Sequence, residues 1–319
     1  MIILLLKEQA CYIWPVGHPK KYSISEVLAF AKDSSALPIA ALLLAATLWG
    51  VFWYPLRWLQ AAGLSGLWAT LFIYTGASLH LLYMLRGRRI EVQQHGLALL
   101  LLALSAGWCN IAFILAMLDG NVVRVLLLFY LSPVWTSLLA VWFLDERLDR
   151  LSVIILLVAS LGAIVMLWQP ALGAPWPQDS ADWLALSSGF TFAIANIITR
   201  KFHAVSVQSK TAATWLGVIG LTLPGLFLGG GGVGDTSLMV VLVALVFGFV
   251  GMYLMTLSVQ YGVSNMPAHR SAIILLFELV AGSLSAFLFT NESVRLLEWL
   301  GGALVILAAL GTARRQVHD

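Results

Sequence analysis

Long stretches without a charged residue dominate the chain. Ser34–Leu56, Trp58–Leu85, Gly96–Leu118 and Leu151–Gln178 contain no Asp, Glu, Lys or Arg. Neither do Trp183–Thr199, Thr211–Gly234, Thr236–His269 and Trp299–Ala313. Two further apolar runs, Val122–Leu144 and Met266–Phe289, carry embedded charge. A helix crosses the hydrocarbon core with about 20 mostly apolar residues. The pattern therefore predicts ten membrane helices, at 37–57, 64–85, 96–118, 122–144, 149–168, 182–202, 210–228, 237–259, 266–290 and 297–313. Short polar or Gly/Pro stretches separate them, among them Gln169–Asp182 and Gly229–Gly234. The glycine run has no Lys-Ser/Thr after it, so it reads as a turn and not as a phosphate cradle.

Composition excludes whole classes of function. Of 319 residues, 61% are apolar and 10% charged, against about 45–50% and about 25% in soluble domains. A soluble globular enzyme is ruled out on that ground. A net charge of +3 with no basic stripe gives no footing for a nucleic-acid partner. Cys11 and Cys109 share no motif, so neither a disulfide framework nor a zinc site is indicated.

Basic residues set the expected orientation, since cytoplasmic loops retain Lys and Arg. With the N-terminus inside, fourteen of the 18 Lys and Arg fall on the cytoplasmic side, including Arg86, Arg88, Arg89, Arg147, Arg150, Arg200, Lys201, Lys210, Arg314 and Arg315. Only Arg57 and Arg295 fall opposite, and Arg124 and Arg270 are embedded in helices. Both termini are thus expected in the cytoplasm. Residues 1–36 read as a cytoplasmic extension: Met1–Leu6 is too short for the apolar region of a secretory signal, and Lys7-Glu8 follows at once. A tail at 314–319 closes the chain.

A shift of 146 positions lays the fourth helix on the ninth. Asn121–Arg124 falls on Pro267–Arg270, Pro133 next to Glu278, and Asp145-Glu146 on Asn291-Glu292. With one gap the first and sixth helices align as well, placing Arg57 on Arg200. The expected organisation is two repeats, 37–168 and 182–313, joined by a linker at 169–181. Five helices per repeat force the second to enter the membrane from the opposite side. The fold class expected is an all-α polytopic membrane protein of ten helices in two inverted five-helix repeats, a recurring construction of secondary transporters.

These residues resemble the EamA branch of the drug/metabolite transporter superfamily. The resemblance rests on Leu48-Trp49-Gly50, on Leu131-Ser-Pro133-Val with Phe143-Leu-Asp-Glu146, and on Phe277-Glu278-Leu through Thr290-Asn-Glu292. It implies a ten-helix carrier of small organic metabolites, often an exporter, in a bacterial inner membrane. One departure is Leu279, where the family often has proline, so a straighter ninth helix is expected here.

Embedded polar groups are the candidates for the work, because a charge near the bilayer centre costs about 2.5–3.5 kcal/mol on insertion scales and faces a bundle interior or a wet cavity. Arg124 and Arg270 start matching helices. They either reach an interface or a loop acid such as Asp119, or attract a substrate carboxylate or phosphate. Asn110 and Asn196 lie mid-span and serve helix–helix hydrogen bonding or substrate contact. His80, near the end of the second helix, serves packing or proton relay. Trp49, Trp108 and Tyr130 lie deep enough to line a cavity and stack on a planar or partly apolar solute. Glu278 is the acid nearest a span centre. Arg270 is eight residues earlier, about 12 Å along the axis and too far for a direct pair within one helix. Glu278 therefore either accepts an interhelical hydrogen bond from Ser, Asn or Tyr, or binds protons or substrate.

No His-Glu-x-x-His, Gly-x-Ser-x-Gly or Walker motif occurs, and no cofactor is called for. Asn291-Glu-Ser293 has the form of a glycosylation sequon but coincides with the repeat motif. The reading is a secondary transporter of a small organic metabolite by alternating access, exporting amino acids or related compounds. Its partners are the bilayer, the solute and, for a coupled carrier, protons. The alternatives are an exporter of cationic amphiphiles, or a membrane scaffold or sensor. Oligomeric state is left open.

Overall fold

A computed structural model describes residues 36–120, 122–168, 177–229, 233, 236–289 and 296–318. All regular secondary structure among them is helical. The first half contains α1 (Ala36–Val51), α2 (Trp53–Ala61), α3 (Gly66–Ser78), α4 (Leu81–Met84), α5 (Arg89–Gln94), α6 (Gly96–Asp119), α7 (Val122–Phe129), α8 (Ser132–Leu144) and α9 (Arg150–Leu167). The second contains α10 (Ser180–Lys201), α11 (Val207–Gly229), α12 (Leu238–Phe247), α13 (Tyr253–Asn265), α14 (Ala268–Leu275), α15 (Phe277–Phe289) and α16 (Leu296–His318). A five-residue π-helical segment, Gly248–Met252, joins α12 to α13.

Among the described residues, eight helices are long and apolar enough to cross a membrane: Ala36–Ala61, Gly96–Met117, Arg124–Leu144, Arg150–Leu167, Ser180–Lys201, Leu238–Asn265, Ala268–Phe289 and Leu296–Arg315. In lipid every backbone polar group must be satisfied within the segment, which leaves these apolar runs no alternative to the helix. The predicted second span is helical too, but as α3 and the short α4, divided at Leu79-His80. The predicted seventh is the 23-residue α11 with Pro224 inside. The last helix runs past 313 to His318, so residues 314–318 are part of it. The predicted extension up to residue 35, most of the linker and Asn291–Ser293 lie outside the described residues.

Polar residues set the helix boundaries. Asp149 accepts from Ser152 N at 3.0 Å to cap α9, and Asp179 from Asp182 N at 2.9 Å to cap α10. These caps satisfy donors that the first turn leaves open. Asp145 ends α8 in the left-handed conformation, φ 54°.

The predicted fourth and ninth spans are both interrupted. α7 gives way to α8 at Tyr130-Leu131, and α14 to α15 at Leu276. The 146-residue shift places Tyr130 on Leu276. Pro133 supplies no N–H to the first break, where Val134 N bonds Leu131 O at 3.0 Å. The second forms without proline, through Leu276 N to Ile273 O at 3.2 Å and Leu279 N to Leu276 O at 3.0 Å. The regular α-helical bonding of the ninth span is thus interrupted at Leu276 by tight three-residue turns, with Leu276 itself still in the right-handed helical region, φ −60° and ψ −17°.

Packing interleaves the two halves. α6 lies along α10 and α11, whereas α12 and the π segment lie along α3 and α13 along α1. α8 packs on α10 and α14, α15 on α1, and α9 on α16. Small residues permit the closest crossings. A Cβ on Gly217 would stand 1.9 Å from the Ala103 carbonyl oxygen, and one on Gly248 1.8 Å from that of Ile73. Each helix would have to move off its partner. Gly217→Ala and Gly248→Ala should therefore each destabilise the fold by about 1–3 kcal/mol, the usual range for overpacking. Gly220→Ala, with open space around its Cβ, should leave the thermal midpoint in detergent unchanged.

The interior is mostly apolar, as in a soluble protein, but the outer surface is apolar too and some polar groups are buried. Leu82, Phe227 and Trp142 are 91%, 88% and 74% exposed, whereas Thr136, Ser188, Asp182 and Lys210 are buried. Large apolar side chains cover the outer surface, where lipid is their solvent.

Candidate functional site

Hydrogen bonds between helix termini separate two ends of the bundle. One carries Arg124, bound to Asp182 of α10; there Thr236 Oγ1 also reaches Gly63 O at 3.1 Å. The other carries Glu146, with Asp149 bound to Arg315 at 2.9 Å and Glu91 to Ser206. Between them lie the two helix interruptions.

Glu278 occupies the first turn of α15, directly after the second break. It keeps accessible surface in spite of its central position. Tyr130, at the first break, stands beside the Glu278 carboxylate, close enough for the two side chains to interact. Both repeat-related interruptions thus contribute to one polar pair. Gly50 presses on the Glu278 carbonyl: a Cβ there would stand 2.6 Å from that oxygen. The glycine of Leu48-Trp49-Gly50 is thus what lets α1 approach the acid. Phe129 packs edge-on to Tyr130 at 5.3 Å, to Phe113 at 4.9 Å and against Phe192 at 5.7 Å. These rings form an apolar wall beside the pair.

The other candidates are dispersed. Asn110 accepts from the Tyr74 hydroxyl at 2.9 Å and donates to Ala106 O at 2.9 Å, as an interhelical hydrogen bond requires. Trp49 packs edge-on to Phe52 at 5.2 Å, in the cluster around Trp215 and Met252. Trp108 is 42% exposed and donates to Ser187 Oγ at 3.2 Å, between α6 and α10. Asn196 is buried one turn before Arg200, and its Nδ2 has no hydrogen-bond partner. Arg124 does not snorkel and does not pair with Asp119. Its Nε and Nη2 both reach Asp182 Oδ2, the former at 3.1 Å. Arg270 lies in the first turn of α14, next to His269. His80 stacks on Phe249 at 4.1 Å and contacts the Phe249 carbonyl oxygen through Nε2 at 2.8 Å. That carbonyl belongs to the π segment, so His80 packs α3–α4 against it.

Glu146 was legible only as part of a motif; the fold gives it partners. Its carboxylate accepts from Ala268 N at 3.0 Å and meets His269 Nδ1 at 2.8 Å and Arg200 Nε at 3.6 Å. Burial pushes its pKa up, but the His269 and Ala268 hydrogen bonds and the charges nearby outweigh that and hold it below the ordinary value. The stabilisation is therefore complete above the ordinary carboxylate range and fades as pH falls through the lowered pKa. Glu91, bonded to Ser206 and Ser209 at the start of α11, is also held low, against the opposing effect of burial. Lys210 is 1% exposed and donates to Ser264 Oγ at 2.5 Å and to the Thr199 carbonyl at 3.2 Å. Among the described residues no group of three or more His, Cys, Asp or Glu could hold a metal ion.

A family model described as "EamA-like transporter family" matches residues 36–168 and again 179–314. The chain belongs to the EamA-like transporter family. It is an integral membrane protein of a transporter family, as the sequence resemblance implied. This EamA chain is 28% identical over 154 residues to an uncharacterized transporter of Pseudomonas aeruginosa, a match covering 47% of each chain. It thus spans about half the length of the curated relative it matches. A protein of known crystal structure superposes with a TM-score of 0.69 at 16% identity, over 88% of this EamA chain and 98% of the other. That likeness concerns the fold alone.

Proposed function

We propose that the chain carries a small organic metabolite across a bacterial inner membrane by alternating access, exporting amino acids or related compounds. The observation that carries this reading is the Glu278–Tyr130 pair at two repeat-related helix breaks. Discontinuous spans that meet near the midplane are a recurring way to build a substrate site. Glu278 binds the ammonium group of the solute or a coupling proton, Tyr130 orients the carboxylate, and the aromatic wall accepts the apolar part. Trp49, Trp108, Asn110, Asn196, Arg124 and Arg270 complete the proposed set of contacts as the cavity opens to each side.

Ten spans in two inverted repeats, 37–168 and 182–313, give this reading its architecture. The double match to the family model and the interleaved packing support it. The Glu146 end carries Arg86, Arg88, Arg147, Arg200, Lys201 and Arg314, which favours the cytoplasm for that end and for both termini. The moving bodies are two interleaved bundles. One holds α6, α7, α8, α10 and α11; the other holds α1, α2, α3 and α12 to α15.

A second reading is favoured by the Arg124–Asp182 bond, which neutralises one cation that would attract an acidic solute. In that reading Glu278 binds a cationic amphiphile. Counterflow in proteoliposomes tests both. Amino acids should exchange with saturation, and inhibition by cationic amphiphiles alone would select the second reading. Counterflow of neither class would leave a membrane scaffold or sensor.

A further inference from the structure

At the Glu146 end the polar contacts cross from one bundle to the other. Glu146, following α8, binds Ala268 N and His269 of α14. Arg200 of α10 donates to Ser264 O of α13 at 2.9 Å, and Lys210 of α11 to Ser264 Oγ. Thr199 of α10 donates to Gln260 Oε1 of α13 at 3.0 Å, while Gln260 Nε2 donates to Thr214 of α11 at 3.0 Å. At the Arg124 end, by contrast, Arg124–Asp182, Trp53–Ser285 and Thr236–Gly63 each stay within one bundle.

A second observation lies just inside this network. Thr136 Oγ1 on α8, Asn196 Nδ2 on α10 and His269 Nε2 on α14 have no hydrogen-bond partner. The three residues are 0%, 4% and 4% exposed. α8, α10 and α14 pack on one another, and Ala140, Ala193, Ile197 and Ala268 form their common core. The three groups lie between the Tyr130–Glu278 level and Glu146. A buried polar group without a partner is destabilising. Three of them along one seam make sense as the polar lining of a path that opens in another state.

We infer that Glu146, with Arg200, Lys210 and Ser264, forms a latch that holds the Glu146 end closed over a solute path lined by Thr136, Asn196 and His269. The inference rests on the alternating-access reading and assigns it a gate. Glu146 is the keystone because one carboxylate holds the start of α14, the end of α8 and the end of α10 together. Charge-assisted hydrogen bonds are about twice as strong as neutral ones, so removing the charge weakens the latch while an amide preserves its shape.

The test places a single thiol in the path. Thr136→Cys gives up no hydrogen bond; in its background Cys11 and Cys109 are replaced by Ala, which costs only the weak Ser188 Oγ–Cys109 Sγ contact, since Ser188 also donates to the Cys109 carbonyl at 2.7 Å. A membrane-impermeant maleimide is applied to proteoliposomes from the Glu146 face. Labelling should be slow in this parent and at least about tenfold faster with Glu146→Gln, which corresponds to about 1.4 kcal/mol. In Glu146→Gln, a disulfide between Thr199→Cys and Gln260→Cys should protect position 136 again until it is reduced. His269→Gln supplies a second, milder opening if Glu146→Gln fails to fold. Labelling at the parent rate in a folded Glu146→Gln or His269→Gln protein overturns the latch. Faster labelling without counterflow of any solute retains the latch and removes the transport reading.

Discussion

Glu278→Gln is expected to yield a folded protein that still binds its solute, with transport lowered about 10- to 100-fold and insensitive to pH. The range follows from hydrogen bonds to a charged group, worth about 1.5–3 kcal/mol, at about 1.4 kcal/mol per tenfold. Gln keeps the shape and an acceptor for Tyr130 but can neither hold a proton nor face an ammonium group with a charge. Tyr130→Phe, which removes only the donor, should have a smaller effect and keep the pH dependence. Counterflow in proteoliposomes at a series of pH values measures both. If Glu278→Gln transports at the parent rate with the parent pH profile, the carboxylate merely holds α15 to the first break.

Asp182→Ala should lower stability by about 3–5 kcal/mol, the usual cost of stripping one partner from a buried ion pair. Asp182 is 1% exposed and the Arg124 side chain 11%. The guanidinium would lose the carboxylate that its Nε and Nη2 both reach. Asp182 also accepts from Gln178 N at 2.9 Å, so the entry to α10 would loosen. Arg124→Leu with Asp182→Leu should recover much of the loss, because no charge is then stranded. Thermal midpoints of the purified variants in one detergent decide the matter. An Asp182→Ala midpoint equal to the parent's would mean that Arg124 finds another partner, and its part in recognising an acidic solute would regain ground.

The membrane character and the helices were legible because they follow from local apolar runs. So was Glu278, since a lone acid inside such a run is visible without tertiary information. Its partner was legible only as a residue type: Ser, Asn or Tyr could each have met it, and the two helix breaks brought Tyr130. Nothing in the spacing announced the break at Leu276, which contains no proline. Asp182 was overlooked because an acid three residues past an N-cap reads as a surface group; only the fold turns it toward Arg124. Lys210 was counted among the cytoplasmic charges for orientation, yet the carbonyls ending α10 and the Ser264 hydroxyl surround it. Those partners lie 11 and 54 positions away, a distance that no periodicity encodes.

The interleaving of the halves sets a timetable for synthesis. α6 finds its long neighbours only in α10 and α11, and α1 meets α13 later still. At about 5–20 residues per second, the wait for those partners is on the order of ten seconds. During that interval the glycine faces of α3 and α6 have lipid or the insertion machinery as company. A chain stopped at residue 168 would remain in that condition permanently. It should be cleared by membrane proteases, whereas co-expression of residues 177–319 should rescue it by supplying the missing neighbours in trans.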